Sequence, residues 1–271
     1  MPTAIIVFFG LHWYLSLLMQ TMFLHRYAAH AMYTLSGFWE RVFYILTYIF
    51  QGSSFLSPHA YGIMHRMHHA YADTPQDPHS PKYSTGLGNM MWKTKDIYND
   101  ILNGRVVPDR EFTKGVPYWS LIENIGDSWM SRLTWGTIYT LFYIQFATAW
   151  WQFLLLPIHF LMGPVHGAVI NWFAHKYGYV NFKVGDTAKN LLPVDILMMG
   201  ESYHNNHHKW GGRADFGYHW WEQDPTYWIM RGLDIVGVIK LKKSALEPAV
   251  SDTEAALKLQ RQTNPTMEKA A

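Results

Sequence analysis

Nine histidines fall in four short clusters: His25 and His30 in HRYAAH, His65, His68 and His69 in HRMHH, His175 in NWFAH, and His204, His207 and His208 in HNNHH. Neutral imidazole suits zinc, copper, iron and nickel, so the ligand type alone does not choose the metal. Their number and spacing say more. Histidines at i, i+3 and i+4 of a helix share one narrow face and can serve two adjacent metals. Nine imidazoles exceed the four ligands of a structural zinc and the three of a catalytic one, which implies a pair of metals with high coordination numbers. Iron is the expected element, because a pair of irons can cycle redox state and split oxygen. The chain has no cysteine, which excludes thiolate sites, iron–sulfur clusters and disulfides.

The clusters differ in how plainly they converge. His25 and His30 are five residues apart and diverge on a regular α-helix, so helix-end geometry must bring their rings together. Asn171 lies four residues before His175, on the same face, and is a candidate tenth contributor. Asp77, Asp195 and Glu201 are candidates to accept a ring N–H and fix the tautomers. His12, His59, His79, His159, His166 and His219 join no cluster and are read as structural, His159 and His166 bonding to neighbouring helices inside an apolar segment.

The elements that must position these rings are helices in an apolar layer. The chain has 271 residues, enough for one domain with a real core; 49% are hydrophobic, 17% aromatic and 15% charged. Residues 1–25 carry no Asp, Glu, Lys or Arg and suffice for one crossing, without the basic start or small-residue cleavage site of a removed signal peptide. Residues 133–175 are again uncharged and fit a two-span hairpin, with Trp150 and Trp151 at its turn. Residues 42–56 are short and contain Gln51, Gly52, Ser53 and Ser54. If they crossed, the histidines would be split between compartments, so they are read as an interfacial or partly inserted helix.

All 22 Lys and Arg then fall in 26–132 and 176–271, on one side, which is cytoplasmic by the positive-inside rule. The expected fold is an all-α integral membrane protein with about three transmembrane helices, four being the alternative, an interfacial helix, and a cytoplasmic helical cap holding a histidine-rich dimetal site. The domain is placed at 1–243 and a polar tail at 244–271. The net charge of +2 and the lack of a Lys/Arg run argue against nucleic acid.

In order and separation, HRYAAH, HRMHHAYADTPQDPH, NWFAHKYGY and GESYHNNHH resemble the stearoyl-CoA (delta-9) desaturase family of membrane fatty-acyl desaturases, in a bacterial form without a fused cytochrome domain. The likeness runs from about residue 11 to 243. It implies that the nine histidines hold two irons, that Asn171 reaches one through a water, and that a long-chain acyl group lies in a bent tunnel beside them. Oxygen and two electrons then give a cis double bond. Trp13 and Leu17 share a helix face with His25 and are candidates to bound the tunnel.

Three features depart from the family. One span rather than two precedes the first box, which puts the N-terminus outside. An Arg-Asp pair that holds the headgroup in acyl-CoA members is replaced by Ile63 and Met64. Lys93 and Lys95 match a further basic pair only roughly. The acyl carrier is CoA, acyl carrier protein or a phospholipid, with CoA slightly favoured. Electrons must come from a separate ferredoxin, rubredoxin or cytochrome b5-like donor, for which Lys209, Arg213, Lys240, Lys242 and Lys243 are candidate docking residues. The expected location is the bacterial inner membrane with the active site facing the cytoplasm. The competing readings are a hydroxylase with the same kind of centre, a histidine-rich metal transporter and, last, a bis-histidine haem protein.

Overall fold

A computed structural model describes residues 2–246, and they are mostly helical. The first helix, α1 (Pro2–Met19), runs without a break into a π-helical segment, Gln20–Ala29. Together Thr3–Ala29 form one helix long and apolar enough to cross a membrane. After a short strand, β1 (Tyr33–Thr34), the chain enters α2 (Gly37–Gln51), started by Ser36, whose side chain accepts from the Trp39 backbone N–H. Fifteen residues reach only about 22 Å, short of a hydrocarbon core of about 30 Å. The helix instead packs along α1 and stops at Gly52.

Gly52 has φ +51°, and a Cβ there would fall 1.7 Å from the Tyr139 hydroxyl. It reverses the chain into a tight 3-10 turn, Gly52–Ser54, that feeds α3 (Pro58–Tyr71), the helix carrying HRMHH. Gly52→Ala is expected to cost about 2 kcal/mol, through the left-handed backbone and displacement of Tyr139. A thermal melt of the purified variant checks this, and a melting temperature equal to the parent's would contradict it.

Helices α4 (Leu87–Leu102), α5 (Arg110–Thr113) and α6 (Ser120–Asp127) follow, with α4 and α5 packed on α3. The hairpin expected over 133–175 has one straight leg, α7 (Trp129–Phe146), and one broken leg. The return leg is a 3-10 turn (Trp150–Leu155), α8 (Leu156–Phe160), α9 (Met162–Ala168), a second π segment (Val169–Phe173) and α10 (Ala174–Lys176). It bends by 78° at Leu161. Pro164 accounts for the break, since it has no N–H for the Phe160 carbonyl. By length and composition the described residues offer one membrane-crossing helix, or two if the bent leg counts, where three or four were expected. Trp150 lies at the turn, 77% exposed, and Leu133, Leu141, Ile144, Leu154 and Leu161 also face outward, an apolar girdle suited to lipid.

The cap ends with α11 (His204–Lys209), α12 (Pro225–Ile235) and β2 (Lys240–Leu241). β2 pairs antiparallel with β1, Tyr33 opposite Leu241, a small ladder that an all-α reading lacked. It ties the end of the described chain to the loop after the first histidine cluster. The boundary placed at 243 falls inside a packed 3-10 turn, Lys243–Leu246, whose Ala245 is buried and accepts the Ala214 N–H. The remainder of the expected tail, 247–271, lies outside the described residues.

Candidate metal centre

The nine histidines meet. Ring nitrogens of His25, His30, His65, His69 and His207 lie within 4.8 Å of one another, as do those of His68, His175, His204 and His208. Each HxxHH cluster serves both groups: α3 sends His65 and His69 one way and His68 the other, and α11 sends His207 one way and His204 and His208 the other. The i, i+3, i+4 spacing makes that division possible, because i and i+4 lie almost in line while i+3 is rotated aside.

The i, i+5 pair is explained by the π segment. His30 N–H donates to the His25 carbonyl at 3.1 Å, an i to i+5 bond. A turn of that width places residues five apart on one face, and the two rings lie 5.0 Å apart. His30 is the C-cap of the segment, so the helix end supplies this convergence in π-helical form.

Two arginines beside the ligands fasten the helices. Arg66 donates to the carbonyls of Ala28 and Ala29, at the end of the π segment, and to those of Phe112 and Lys114. Arg26 is fully buried; it donates to the Ala214 carbonyl and to Asp224, both at 2.9 Å, and stacks on Phe216. The Phe216 ring in turn packs 4.4 Å from His207.

The donor chemistry fits metal. His25 Nδ1 lies 2.7 Å from Glu201, His68 Nδ1 2.9 Å from Asp77 and His208 Nδ1 2.8 Å from Asp186. A ring whose Nδ1–H is given to a carboxylate keeps a lone pair on Nε2. Yet Nε2 of His25 is 3.0 Å from that of His207, His69 Nε2 is 2.9 Å from His207 and 3.0 Å from His65, and His204 Nε2 is 3.0 Å from His175. So many convergent lone pairs repel unless a cation lies between them. Two nitrogens bound to one cation at about 2.1 Å and a right angle sit about 3.0 Å apart. Burial first, and then the neighbouring imidazoles, hold His30, His65, His69, His204 and His207 well below the ordinary histidine range. They are therefore neutral, as ligands must be.

Of the three expected carboxylate partners, Asp77 and Glu201 take that place. Asp195 does not: it accepts the backbone N–H groups of Met198, Gly200 and Ser202 and shapes the turn before HNNHH. Two partners were missed, Asp186 on His208 and Thr187 Oγ1 at 3.2 Å from His175 Nδ1. Neither has a sequence signal, since both lie in an irregular loop without periodicity. His79, read as structural, packs tilted against His68 with ring centroids 4.1 Å apart and groups with it and Asp77.

Asp186 makes a sharp test. Its Oδ1 accepts the Ala188 N–H at 2.8 Å, so an asparagine would turn its NH2 toward His208 Nδ1. That favours the tautomer whose Nε2 carries hydrogen and cannot ligate. Asp186→Asn is expected to weaken metal binding about 10- to 100-fold, read by competition with a chelator. Unchanged affinity would contradict the assignment.

Asn171 sits in the second π segment and lines a cavity of about 40 Å³ with His25, His65 and His204. Leu17, Ile170 and Met198 form its apolar side. Trp13 donates its indole N–H to the Leu197 carbonyl at 3.0 Å and packs beside Leu17. Lys93 holds a loop, donating to the Asp77 carbonyl at 3.0 Å, while Lys95 is exposed over Trp92. Ile63 and Met64 are buried in an apolar cluster.

An apolar helical layer carrying a buried, convergent imidazole cluster defines a class, helical proteins fit to hold non-haem metal beside an exposed apolar surface. The comparisons narrow it: the family model described as fatty acid desaturase matches residues 2–235, and the chain belongs to that family. It is an oxidoreductase of lipid metabolism that carries out fatty acid desaturation. It is 28% identical to a delta-9 acyl-lipid desaturase of Arabidopsis thaliana over 80% of this chain and 68% of that one. It is also 28% identical to an sn-1 stearoyl-lipid 9-desaturase of Synechocystis sp., over 86% of this chain and 69% of the relative. An acyl-CoA C20 delta5-desaturase of Anemone leveillei is 27% identical over 80% and 67%.

Proposed function

We propose that the protein is an integral membrane desaturase that uses dioxygen to place a cis double bond in a long-chain acyl group, with two irons held by the five- and four-imidazole groups. The observation that carries this is the pair of convergent Nε2 sets beside an apolar cavity. Bound iron supplies the redox capacity to reduce dioxygen and take two hydrogens from unactivated methylenes. The chain's own residues do the rest. Glu201, Asp77, Asp186 and Thr187 orient the rings, and Asn171 holds a water beside His204. Leu17, Ile170 and Met198 present an apolar wall, which must part to admit an acyl chain because about 40 Å³ holds only small guests.

An unactivated methylene has no polar handle, so its position is set by how far the chain can slide. Trp13 and Leu17 set that limit in this reading. Leu17→Ala and Trp13→Ala are expected to shift the product toward longer chains, read by gas chromatography; an unchanged profile would remove both from this role.

A lipid-linked acyl carrier is favoured over CoA. Ile63 and Met64 are buried in apolar packing, Lys93 is engaged by loop carbonyls, and two of the relatives named above act on acyl-lipids by name. The electron donor is a separate acidic protein such as a ferredoxin, rubredoxin or cytochrome b5-like carrier. Lys242 and Lys243 are exposed and are the residues offered for its docking, whereas Arg213 is engaged by Asp215 and the Gly217 carbonyl. The centre then faces the cytoplasm of a bacterial inner membrane, with the Lys and Arg residues.

The test is the fatty-acid profile of a desaturase-deficient host expressing the chain, followed by purified enzyme given labelled phospholipid or labelled acyl-CoA. New alkenes from phospholipid are expected. Hydroxy acids without alkenes would establish the hydroxylase alternative instead.

A further inference from the structure

His166 is 1% exposed, and neither ring nitrogen finds a hydrogen-bond partner among the described residues. A neutral imidazole always carries one donor and one acceptor, and leaving both unmet in an apolar interior is costly. Gln20, 6% exposed, has an amide oxygen in the same condition. These two side chains come from different helices, α9 and the start of the first π segment, and they line one cavity. That cavity is also lined by Asn171, by His25 and His65 of the five-imidazole group and by His204 of the four-imidazole group. Trp13 packs edge-on against the His166 ring, with centroids 4.5 Å apart, which fixes the ring's orientation. The Trp13 indole N–H is already given to Leu197 and does not serve His166.

We propose that His166 and Gln20 are positioning residues that bind one or two ordered waters in this cavity, between the helix of Asn171 and the two imidazole groups. The volume, about 40 Å³, suits about two waters, and the polar side chains around it give each the partners it needs. The donor and acceptor of His166 orient the water toward the centre, and Gln20 accepts from it. The inference rests on the desaturase reading for its purpose. Forming one double bond breaks two C–H bonds and the O–O bond of one dioxygen, takes two electrons from the donor protein and two protons, and yields two waters. Those protons must enter a buried site whose other lining is Leu17, Ile170, Met198 and Gly167 with Tyr61 and Glu201. Glu201 already faces His25 Nδ1 and accepts from Thr21, and a held water adjoining them is the carrier the chain provides.

The test uses full-length protein with iron loaded and, in parallel, stripped. His166→Leu removes both polar atoms, and His166→Gln restores a donor and an acceptor. Expected for His166→Leu are full iron content, a metal-free melting temperature equal to or above the parent's, an unchanged KM for acyl substrate, and alkene formed per electron pair lower by about 10- to 100-fold with peroxide released. His166→Gln should recover most of the coupling. A large fall in the metal-free melting temperature would overturn the proposal, because it would make His166 a structural bond. So would unchanged coupling, or a change confined to KM. A high-resolution density map of the parent separates this from failure of the desaturase reading: water between His166 and Gln20 is expected whatever the reaction, and its absence overturns the site.

Discussion

Replacing His204 with alanine is expected to abolish desaturation, by at least about 1000-fold, and to remove one metal of the two while the other stays. His204 belongs to the smaller group, so its loss leaves His68, His175 and His208, whereas loss of His30 would leave four imidazoles in its own group. The two substitutions should therefore differ: His204→Ala loses its metal outright, and His30→Ala binds more weakly and recovers with excess iron. Three remaining imidazoles can still hold an open-sided zinc, so zinc must be kept out of the preparation. Metal content and product per chain, measured on both variants at several iron concentrations, check this. Equal behaviour of the two would contradict the five-and-four division.

The largest effect on stability is expected at Asp224. It is fully buried, pairs with the fully buried Arg26, accepts the Phe216 N–H at 3.0 Å, and caps α12 by accepting the Tyr227 N–H. Asp224→Ala takes away the hydrogen-bonded counter-charge of Arg26 and leaves only the Glu201 carboxylate, 3.9 Å away; losing the close partner of a buried charge typically costs about 3–5 kcal/mol, and a helix cap goes with it. That is a large part of a typical folding free energy, so the melting temperature should fall by roughly 10 °C. Because the penalty is the stranded charge, Arg26→Met combined with Asp224→Asn should recover more than half of it. A double variant no better than Asp224→Ala would show that the pair itself, and not the lone cation, carries the stability.

The centre was far more legible in the sequence than the scaffold around it. Ligation needs specific residue types at specific spacings, so HRMHH and HNNHH declared themselves, and the π-helical register of His25 and His30 left its trace as an i, i+5 interval that looked like a misfit. The partners of the rings were only partly legible. Asp77 and Glu201 lie within or beside the clusters, but Asp186 and Thr187 reach His208 and His175 from a loop whose path depends on tertiary contacts such as the Thr187 N–H donated to Asp73. The break at Leu161 could have been read from Pro164, but the uncharged run of residues concealed it. Arg26 and Arg66 carry no ligand and were passed over. Their task, fastening the histidine helices to distant carbonyls, is visible only once the chain has folded.

The most direct measurement is iron per chain in protein purified without added chelator, taken together with the product it forms from labelled phospholipid. Two irons per chain are expected, with product falling in proportion as iron is withdrawn. Full activity at one iron or fewer, or with zinc alone, would contradict this expectation.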